Sequence, residues 1–374
     1  MLESSEYTLD TLLMDAVNSN ATDVHICTGA PPKMRVYGEL KPMTYKRYAQ
    51  AVVLPVLNDI KSESLLKPLM DALARSRYES SGNWDMSYNI GNDARFRVNI
   101  FRQKGAIAGV FRILPTRILK AEKLGLPSEF FDLSKSRRGM ILVTGTTGSG
   151  KSTTLSAFVD IINRKMPKHI ITLEEPIEYE HWHEKANISQ REIGSDVSSF
   201  EEGLRAALRE DPDVILVGEM RDKETIDIAL KSAETGHLLL STLHTMGAVE
   251  TVNRIVDVFP ESSHNQVRNQ FASVMQAVVS QQLMPRADGE GYVVAFEILY
   301  KTREVQRLIR ENNIEGLEDY LRSDEAHKLG MQTMDESIIR LLSKGSITKE
   351  IALTYAMDKS NMEKTITALG LLSR

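Results

Sequence analysis

The spacing of apolar residues divides the chain into an N-terminal part with mixed patterns and a C-terminal part in which strands and helices alternate. In the N-terminal part, helical spacing covers residues 7–19 and 48–75. Patterns typical of short strands cover 23–26, 33–37, 85–90, 94–102 and 106–114. The last three strands are separated by short polar turns, which predicts an antiparallel meander. Together these elements predict a small α+β domain over residues 1–114.

The pattern changes after a punctuated segment that contains Pro115, Gly125 and Pro127. These residues interrupt regular structure, and they predict a linker over 115–127. Apolar runs separated by helical stretches follow, at 140–144, 170–173, 214–217 and 238–241. Such alternation predicts a parallel sheet with helices on both faces, so residues 128–374 are expected to form an α/β domain with a helical C-terminal region from about residue 303.

Composition and charge narrow the classes of function. The chain has 374 residues, of which 42% are hydrophobic, and a formal net charge of -5. A dedicated nucleic-acid binder usually has a basic surplus, so no nucleic acid is expected as a partner.

The single cysteine, Cys27, cannot form an internal disulfide. The N-terminus lacks the features of a signal peptide, and no apolar run approaches the ~20 residues that span a bilayer. A cytoplasmic location is expected.

A phosphate-binding loop follows the apolar run at 140–144. The string GTTGSGKST fits the pattern G-x-x-x-x-G-K-[ST], and it opens a helical stretch at 155–162. Glycines let the backbone wrap round phosphate oxygens, and the helix N-terminus favours the same anion. The lysine adds a full charge near the β- and γ-phosphates, and the serine after it is a Mg²⁺ ligand in such loops. The predicted ATP-binding residues are Gly145, Thr146, Thr147, Gly148, Ser149, Gly150, Lys151, Ser152 and Thr153, with Ser152 as the Mg²⁺ ligand.

Polar residues follow three more of the predicted parallel strands. The strand at 170–173 leads into Glu174-Glu175-Pro176-Ile177-Glu178, and the strand at 214–217 leads into Gly218-Glu219. Ligands of open parallel sheets gather at the carboxyl ends of strands. Glu219 is therefore a candidate to orient or deprotonate the attacking water, and Glu178 is the alternative candidate. His244 follows the strand at 238–241, where it would contact the water or the γ-phosphate or simply cap its own loop.

Two further pairs of residues are weaker candidates for a functional site. His181 and His183 are spaced like metal ligands, but no cysteine or third histidine lies at ligand spacing, so exposed loop histidines are the favoured interpretation. Arg97 and Arg112 lie on different strands of the meander. They contribute to catalysis only if a neighbouring domain presents them to the phosphate.

Five blocks of sequence, in this order, resemble the secretion ATPase superfamily and its PilT/PilU branch of type IV pilus retraction motors. They are ATDVHICTGAPPKMRVYGEL at 21–40, GTTGSGKST at 145–153, ITLEEPIEY at 171–179, DPDVILVGEMRD at 211–222 and GHLLLSTLHT at 236–245. Two departures stand out. Glu175 replaces the usual aspartate of the third block, and Glu304-Val305-Gln306 replace an Ala-Ile-Arg that precedes Leu-Ile-Arg-Glu. The second departure leaves the PilT-like or PilU-like subfamily open.

The resemblance implies a homohexameric ring in which a PAS-like N-terminal domain precedes a RecA-like ATPase domain. In such rings arginines of the N-terminal domain reach a neighbour's nucleotide, and Arg97 and Arg112 match those positions. It also implies ATP and Mg²⁺ as cofactors, an inner-membrane pilus platform protein and paralogous pilus ATPases as partners, and docking at the inner face of the cytoplasmic membrane.

The expected function is ATP hydrolysis that drives type IV pilus retraction and so twitching motility. The first alternative is a motor for pilus extension or type II secretion; the absence of a tetracysteine zinc insert argues against it, because Cys27 is the only cysteine. A nucleic-acid translocase on the same fold is a less favoured alternative, which stimulation of ATP turnover by DNA would reveal. A regulatory ring without turnover is disfavoured by Lys151 and Glu219.

Overall fold

The computed structural model describes residue 2 and residues 6–48, 50–115 and 117–371. The chain forms two compact units. The first contains Met1–Arg117 together with Pro176–Glu180, and the second contains Ile118–Glu175 and His181–Arg374. Residues 1, 3–5 and 49 of the predicted N-terminal domain, residue 116 of the predicted linker and residues 372–374 of the predicted ATPase domain lie outside the described residues. Residues 118–127 of the predicted linker are counted with the second unit and include a short 3-10 helix at Ala121–Lys123.

The first unit is built around a six-stranded antiparallel sheet with the order β3-β2-β1-β8-β7-β6. Its strands are β1 Ala21–Cys27, β2 Lys33–Val36, β3 Glu39–Pro42, β6 Asn83–Ile90, β7 Ala94–Gln103 and β8 Ala106–Leu114. A separate hairpin pairs β4 Thr44–Arg47 with β5 Gln50–Val53. The helices are α1 Leu9–Asn18, α2 Asp59–Leu66 and α3 Ala72–Ser81. The predicted three-stranded meander corresponds to β6, β7 and β8.

A mostly aliphatic core lies between this sheet and its helices, and it includes Leu12, Leu13, Ile26 and Leu66 together with the aromatic Phe96. The helical pattern predicted over 48–75 is wrong at its start, because residues 50–53 form β5. The error has a physical reason. The sequence there is rich in β-branched residues, and a two-stranded hairpin satisfies its backbone groups by pairing rather than by helical bonds.

The second unit contains a seven-stranded sheet with the order β11-β10-β12-β13-β9-β14-β15. All neighbouring pairs are parallel except β14 and β15, which form an antiparallel pair at one edge. The strands are β9 Gly139–Thr144, β10 His169–Glu174, β11 Asn187–Glu192, β12 Val214–Val217, β13 Leu238–Leu243, β14 Met275–Pro285 and β15 Tyr292–Tyr300. The four predicted strands are β9, β10, β12 and β13, whereas β11, β14 and β15 were not predicted.

Helices connect these strands and form the C-terminal region, as the apolar pattern predicted. They are α4 Ser128–Asp132, α5 Lys151–Lys165, α6 Phe200–Ala207, α7 Lys223–Glu234, α8 Ala248–Asp257, α9 His264–Val274, α10 Arg303–Arg310, α11 Ile314–Leu321, α12 Asp324–Lys328, α13 Met334–Ser343, α14 Lys349–Tyr355 and α15 Lys359–Ala368.

Two cores hold the second unit together. The larger lies against the parallel strands and includes Ile141, Val143, Phe158 and Leu240, all fully buried. The smaller lies between the far end of β14 and β15 and the helices α13, α14 and α15. Within the described residues, no helix is long and apolar enough to cross a bilayer.

Candidate active site

The carboxyl ends of three adjacent parallel strands place the phosphate loop beside two candidate catalytic side chains. β13 pairs in parallel with β9 on one side and with β12 on the other. The phosphate loop follows β9, Glu219 follows β12 and His244 follows β13. Parallel strands end at the same edge of a sheet, so these groups of the second unit share one edge.

Glycines give the phosphate loop its shape. Gly145, Gly148 and Gly150 have φ values of 136°, 80° and 90°, a region that other residues rarely adopt. At Gly145 a Cβ atom would lie 2.3 Å from the backbone oxygen of Gln281, so only glycine fits there. Gly150 caps α5 from the left-handed conformation and has no side chain to bind the helix N-terminus. The positive end of α5 is therefore directed at the loop.

Two polar side chains of this loop are buried in an arrangement suited to an anion. Lys151 is only 8% exposed, and its Nζ donates to the backbone oxygens of Gly145 at 2.9 Å and Thr146 at 3.0 Å. The Oγ of Ser149 is buried without a hydrogen-bond partner among the described residues. A buried hydroxyl that lacks a partner is costly, and a phosphate oxygen would supply one. These observations fit the residues to a nucleotide phosphate.

Gln281, which the sequence did not single out, fastens the phosphate loop to the sheet. It lies on β14, the other neighbour of β9, and is 1% exposed. Its Nε2 donates to the backbone oxygen of Ser149 at 2.6 Å, and its Oε1 accepts from the Oγ1 of Thr154 at 3.0 Å. One buried amide thus joins the loop to the first turn of α5. The contact spans more than 125 residues, and no local sequence signal marks it.

Arg221 and His244 flank the carboxylate of Glu219. Its side chain is 16% exposed. One carboxylate oxygen lies 2.7 Å from the guanidinium of Arg221, and the other lies 3.5 Å from Nε2 of His244. Gly218 precedes it at the strand end, where a Cβ atom would lie 3.2 Å from the backbone oxygen of Leu173. Because this position is tight, Glu219 is the acid that the strand presents.

The hydrogen bonds around His244 fix its loop to β14 and β15. The backbone N–H of Gly247 donates to Oγ of Ser280 at 2.9 Å, and that of Ala248 donates to Oε1 of Glu297 at 2.6 Å. Glu297 also accepts from the backbone N–H of Met334 at 3.2 Å, at the start of α13. Burial raises the pKa of Glu297, and the two N–H donors oppose that shift. The sequence did not predict either of these polar residues.

The acids after β10 fall in different places. Glu174 ends the strand and accepts from Oγ1 of Thr172 at 2.7 Å, while Glu175 is exposed. Pro176–Glu180 is counted with the first unit, and Glu178 lies half-buried within it. Inside that unit Arg95 donates to the backbone oxygen of Ile177 at 2.9 Å and forms an ion pair with Glu180. Glu178 and Glu219 therefore belong to different units.

Arg97 and Arg112 lie directly opposite each other on β7 and β8 of the first unit. Arg97 is exposed, and the Arg112 side chain is 65% exposed while its Nε donates to Asp23 at 3.0 Å. Two like charges in a cross-strand pair are unfavourable, and one aspartate compensates only part of that charge. The pair is therefore an electropositive patch suited to an added anion.

The two histidines with metal-like spacing point to different partners. His181 has its Nε2 3.3 Å from Oγ of Ser156, and burial lowers its pKa to about 4. His183 is exposed and accepts from the backbone N–H of Ile188 at 3.1 Å. Across the part of the chain that the structure describes, no group of three or more histidine, cysteine, aspartate or glutamate side chains could hold a metal ion.

Comparisons with known proteins agree over most of the chain. The family described as Type II/IV secretion system protein matches residues 2–290. A twitching motility protein of Neisseria gonorrhoeae is 44% identical over 339 residues, 91% of this chain and 87% of that protein. The type IV pilus retractation ATPase PilT of Pseudomonas aeruginosa is 42% identical over 350 residues, 94% and 98% of the two chains. A crystal structure of the pilus retraction motor PilT with bound ADP superposes with a TM-score of 0.86 at 40% identity, covering 96% of this chain and 100% of that one.

Proposed function

This chain belongs to the type II/IV secretion system protein family, and we propose that it is the ATP-hydrolysing motor that retracts a type IV pilus. The predicted fold class, an N-terminal α+β unit and a RecA-like ATPase unit, is confirmed. The observation that carries the proposal is the phosphate loop with its buried Lys151, which shares one sheet edge with Glu219. The relatives named for twitching motility and pilus retraction favour retraction over extension of the pilus.

ATP supplies the phosphoryl group whose transfer to water drives the cycle, and the chain's own residues position it. The backbone of residues 145–150 and Lys151 hold the phosphates, and Thr146, Thr147 and Thr153 complete the loop. Ser149 donates its buried hydroxyl to a phosphate oxygen, which would supply the partner that this hydroxyl lacks among the described residues. Ser152, at the first turn of α5, is the residue that would hold Mg²⁺ through its hydroxyl.

Glu219 orients the attacking water and accepts its proton. The guanidinium of Arg221, 2.7 Å from one carboxylate oxygen, helps to fix the orientation of this side chain. His244, 3.5 Å from the other oxygen, then senses whether Glu219 and the γ-phosphate are in place. Glu178 is the alternative base; its place in the first unit would make proton transfer depend on how the two units are arranged during the cycle.

The cross-strand pair of Arg97 and Arg112 supplies positive charge to a neighbour's nucleotide in a homohexamer. An arginine presented in trans stabilises charge that develops in the transition state. In this proposal residues 1–114 deliver the arginines, residues 115–127 connect the domains and residues 128–374 bind ATP. The ring works in the cytoplasm at the inner face of the membrane, on an inner-membrane platform protein and with paralogous pilus ATPases.

Deletion of the gene tests the direction of the motor. Surface pili are counted by electron microscopy in the deletion strain and in strains that carry the wild-type gene or a Lys151→Ala gene. Excess pili and lost twitching in the deletion and Lys151→Ala strains support retraction, whereas loss of pili would assign the chain to extension. ATP turnover by the purified chain with and without DNA tests the translocase alternative, because a translocase is stimulated by DNA.

A further inference from the structure

A groove of about 760 Å³ opens in the second unit between the N-terminal ends of α8 and α13 and the helices α11 and α15. We call it the acidic groove. Its apolar lining includes four methionines together with Leu321 and Ile339. Of the methionines, Met334 and Met362 are buried at 2% and 1% exposure, while Met246 and Met357 reach the surface. Four of the chain's 16 methionines are in this set. Met246 and Met357 are 41% and 50% exposed, so solvent reaches the apolar surface.

The charges along the groove are almost all negative. Its lining includes the acids Glu250, Glu297, Glu318, Asp335, Glu336 and Asp358. Among the lining residues that the structure describes, Arg322 is the one lysine or arginine, and it lies 3.8 Å from Glu318. Over the whole chain acids exceed bases only slightly, 51 to 46, so the groove is strongly biased. A ligand that fills it would need positive charge at its edges.

Two of these acids also bind backbone N–H groups of residues that line the groove. Asp335 accepts from the backbone N–H groups of Met357 at 2.7 Å and Asp358 at 3.0 Å, and Glu250 accepts from that of Met246 at 3.1 Å. A carboxylate has about four acceptor sites, so these groups keep capacity for a further donor. The rim is therefore both ordered and anionic.

An apolar groove with two exposed methionines and an anionic rim suits one kind of occupant. Methionine side chains adapt to irregular apolar partners, and an amphipathic helix lays its apolar face into such a groove. Lysine and arginine at the edges of that helix would meet the rim. A small molecule fits less well, because the groove is open and its charges are spread along the rim rather than converging on one point.

We propose that the acidic groove binds a short basic amphipathic helix from a cytoplasmic segment of a membrane protein on which the motor acts. This inference rests on the proposed function, which places the chain at a membrane partner. Cytoplasmic segments of membrane proteins carry an excess of lysine and arginine near the bilayer, which is the charge that the rim selects. The rim thus recognises the charge, and the methionine surface recognises the apolar face.

The groove is connected to the candidate active site by neighbouring residues in the chain and by the hydrogen bonds of Glu297. Met246, which lines it, is two residues after His244. Glu297 caps the N-termini of both α8 and α13, the two helices whose ends border the groove. An occupant that shifts α8 against α13 therefore strains the contacts of one buried carboxylate next to the His244 loop. Binding of the partner and the state of the ATP site are linked by this route.

The test measures binding of a defined probe to the full chain. A fluorescein-labelled 14-residue peptide of leucine and lysine, with leucines along one helical face, is titrated by fluorescence anisotropy at physiological salt. We expect saturable binding that Glu318→Lys weakens at least fivefold. Asp319→Lys is the matched control: it makes the same charge change on the next residue of α11, outside the groove lining, and Asp319 also lies near Arg322. This control is expected to bind within twofold of wild type.

A second pair of variants tests the apolar surface. Met357→Ser removes an exposed methionine from the groove, and Leu369→Ser removes a similarly exposed side chain, 55% against 50%, from outside its lining. We expect only Met357→Ser to weaken peptide binding, by at least threefold. Thermal melts of all four variants verify that each is folded.

Three results would overturn the inference. They are no binding to wild type, equal weakening by Glu318→Lys and Asp319→Lys, and a change in assembled mass with Glu318→Lys but not with Asp319→Lys. The last would mean that a second copy of the chain fills the groove. ATP turnover of the wild type and the pilus count of the deletion strain are measured in parallel. If both match a retraction motor while the peptide fails to bind, the groove inference alone is wrong.

Discussion

Replacement of Gln281 by alanine should weaken ATP binding, because this buried amide fixes the phosphate loop. The substitution removes the 2.6 Å hydrogen bond to the backbone oxygen of Ser149 and the 3.0 Å bond from Thr154. Each bond contributes about 1 kcal/mol net, and a buried group left without its partner costs about 1–3 kcal/mol. A loss of about 2 kcal/mol at the loop corresponds to roughly thirtyfold in affinity, and relaxation of the loop would reduce it to roughly tenfold.

The assay is equilibrium binding of a fluorescent ATP analogue to Gln281→Ala, with Gln282→Ala as the matched control. Gln282 is the next residue on β14, is 8% exposed, and donates to the sulfur of Met357 rather than to the loop. We expect the dissociation constant to rise at least tenfold in Gln281→Ala and to stay within twofold in Gln282→Ala. Equal affinities for the two variants would refute the reasoning, since both lose a buried amide and only one loses contact with the loop.

Three further predictions concern the catalytic groups and one buried histidine. Glu219→Gln should bind ATP and lose most turnover, because an amide cannot accept the proton; an inactive Glu178→Gln with an active Glu219→Gln would assign the base to the other acid. Mixed rings of Arg112→Ala and Lys151→Ala subunits, each inactive alone, should regain partial ATPase activity if the arginine acts in trans. Mass photometry and ATP binding verify that mixed rings form. Verified mixed rings that stay inactive would contradict the role of Arg112 in trans. Unfolding free energy should fall by up to about 3 kcal/mol as pH drops from 6.5 toward 4, because His181 stays neutral in the folded state while the unfolded chain takes up a proton. Urea unfolding at several pH values should show a flatter dependence in His181→Gln, and an unchanged slope would contradict the prediction.

Periodicity predicted most of the central sheet because buried parallel strands are short apolar runs bounded by turns. Residues 214–217 are fully buried, and the predicted and observed strand have the same limits. The strand β14 was missed because it departs from this pattern. β14 carries Ser280, Gln281 and Gln282 in the middle of a buried strand, and these polar residues interrupt the apolar run that would have marked it.

Those polar residues are also why part of the candidate site could not be predicted. The phosphate loop, Glu219 and His244 each follow a strand within a few residues, so local pattern and motif were sufficient to single them out. Gln281 contacts the loop across 132 residues of sequence, and Glu297 contacts Ala248 across 49. Such contacts depend on which strands become neighbours, and a single sequence does not encode that in any local period.

The missed hairpin gives the second unit a route from the nucleotide to its C-terminal helices. Ser280 on β14 and Glu297 on β15 are directly paired across the two strands. Ser280 accepts from Gly247, beside the His244 loop, while Glu297 binds both Ala248 and the start of α13. Gln281, next to Ser280, holds the phosphate loop. A movement of the loop when phosphate leaves therefore acts on the same two strands that position α13. Because β14 and β15 are paired along nine residue positions, a displacement of the loop would be passed through them to the start of α13.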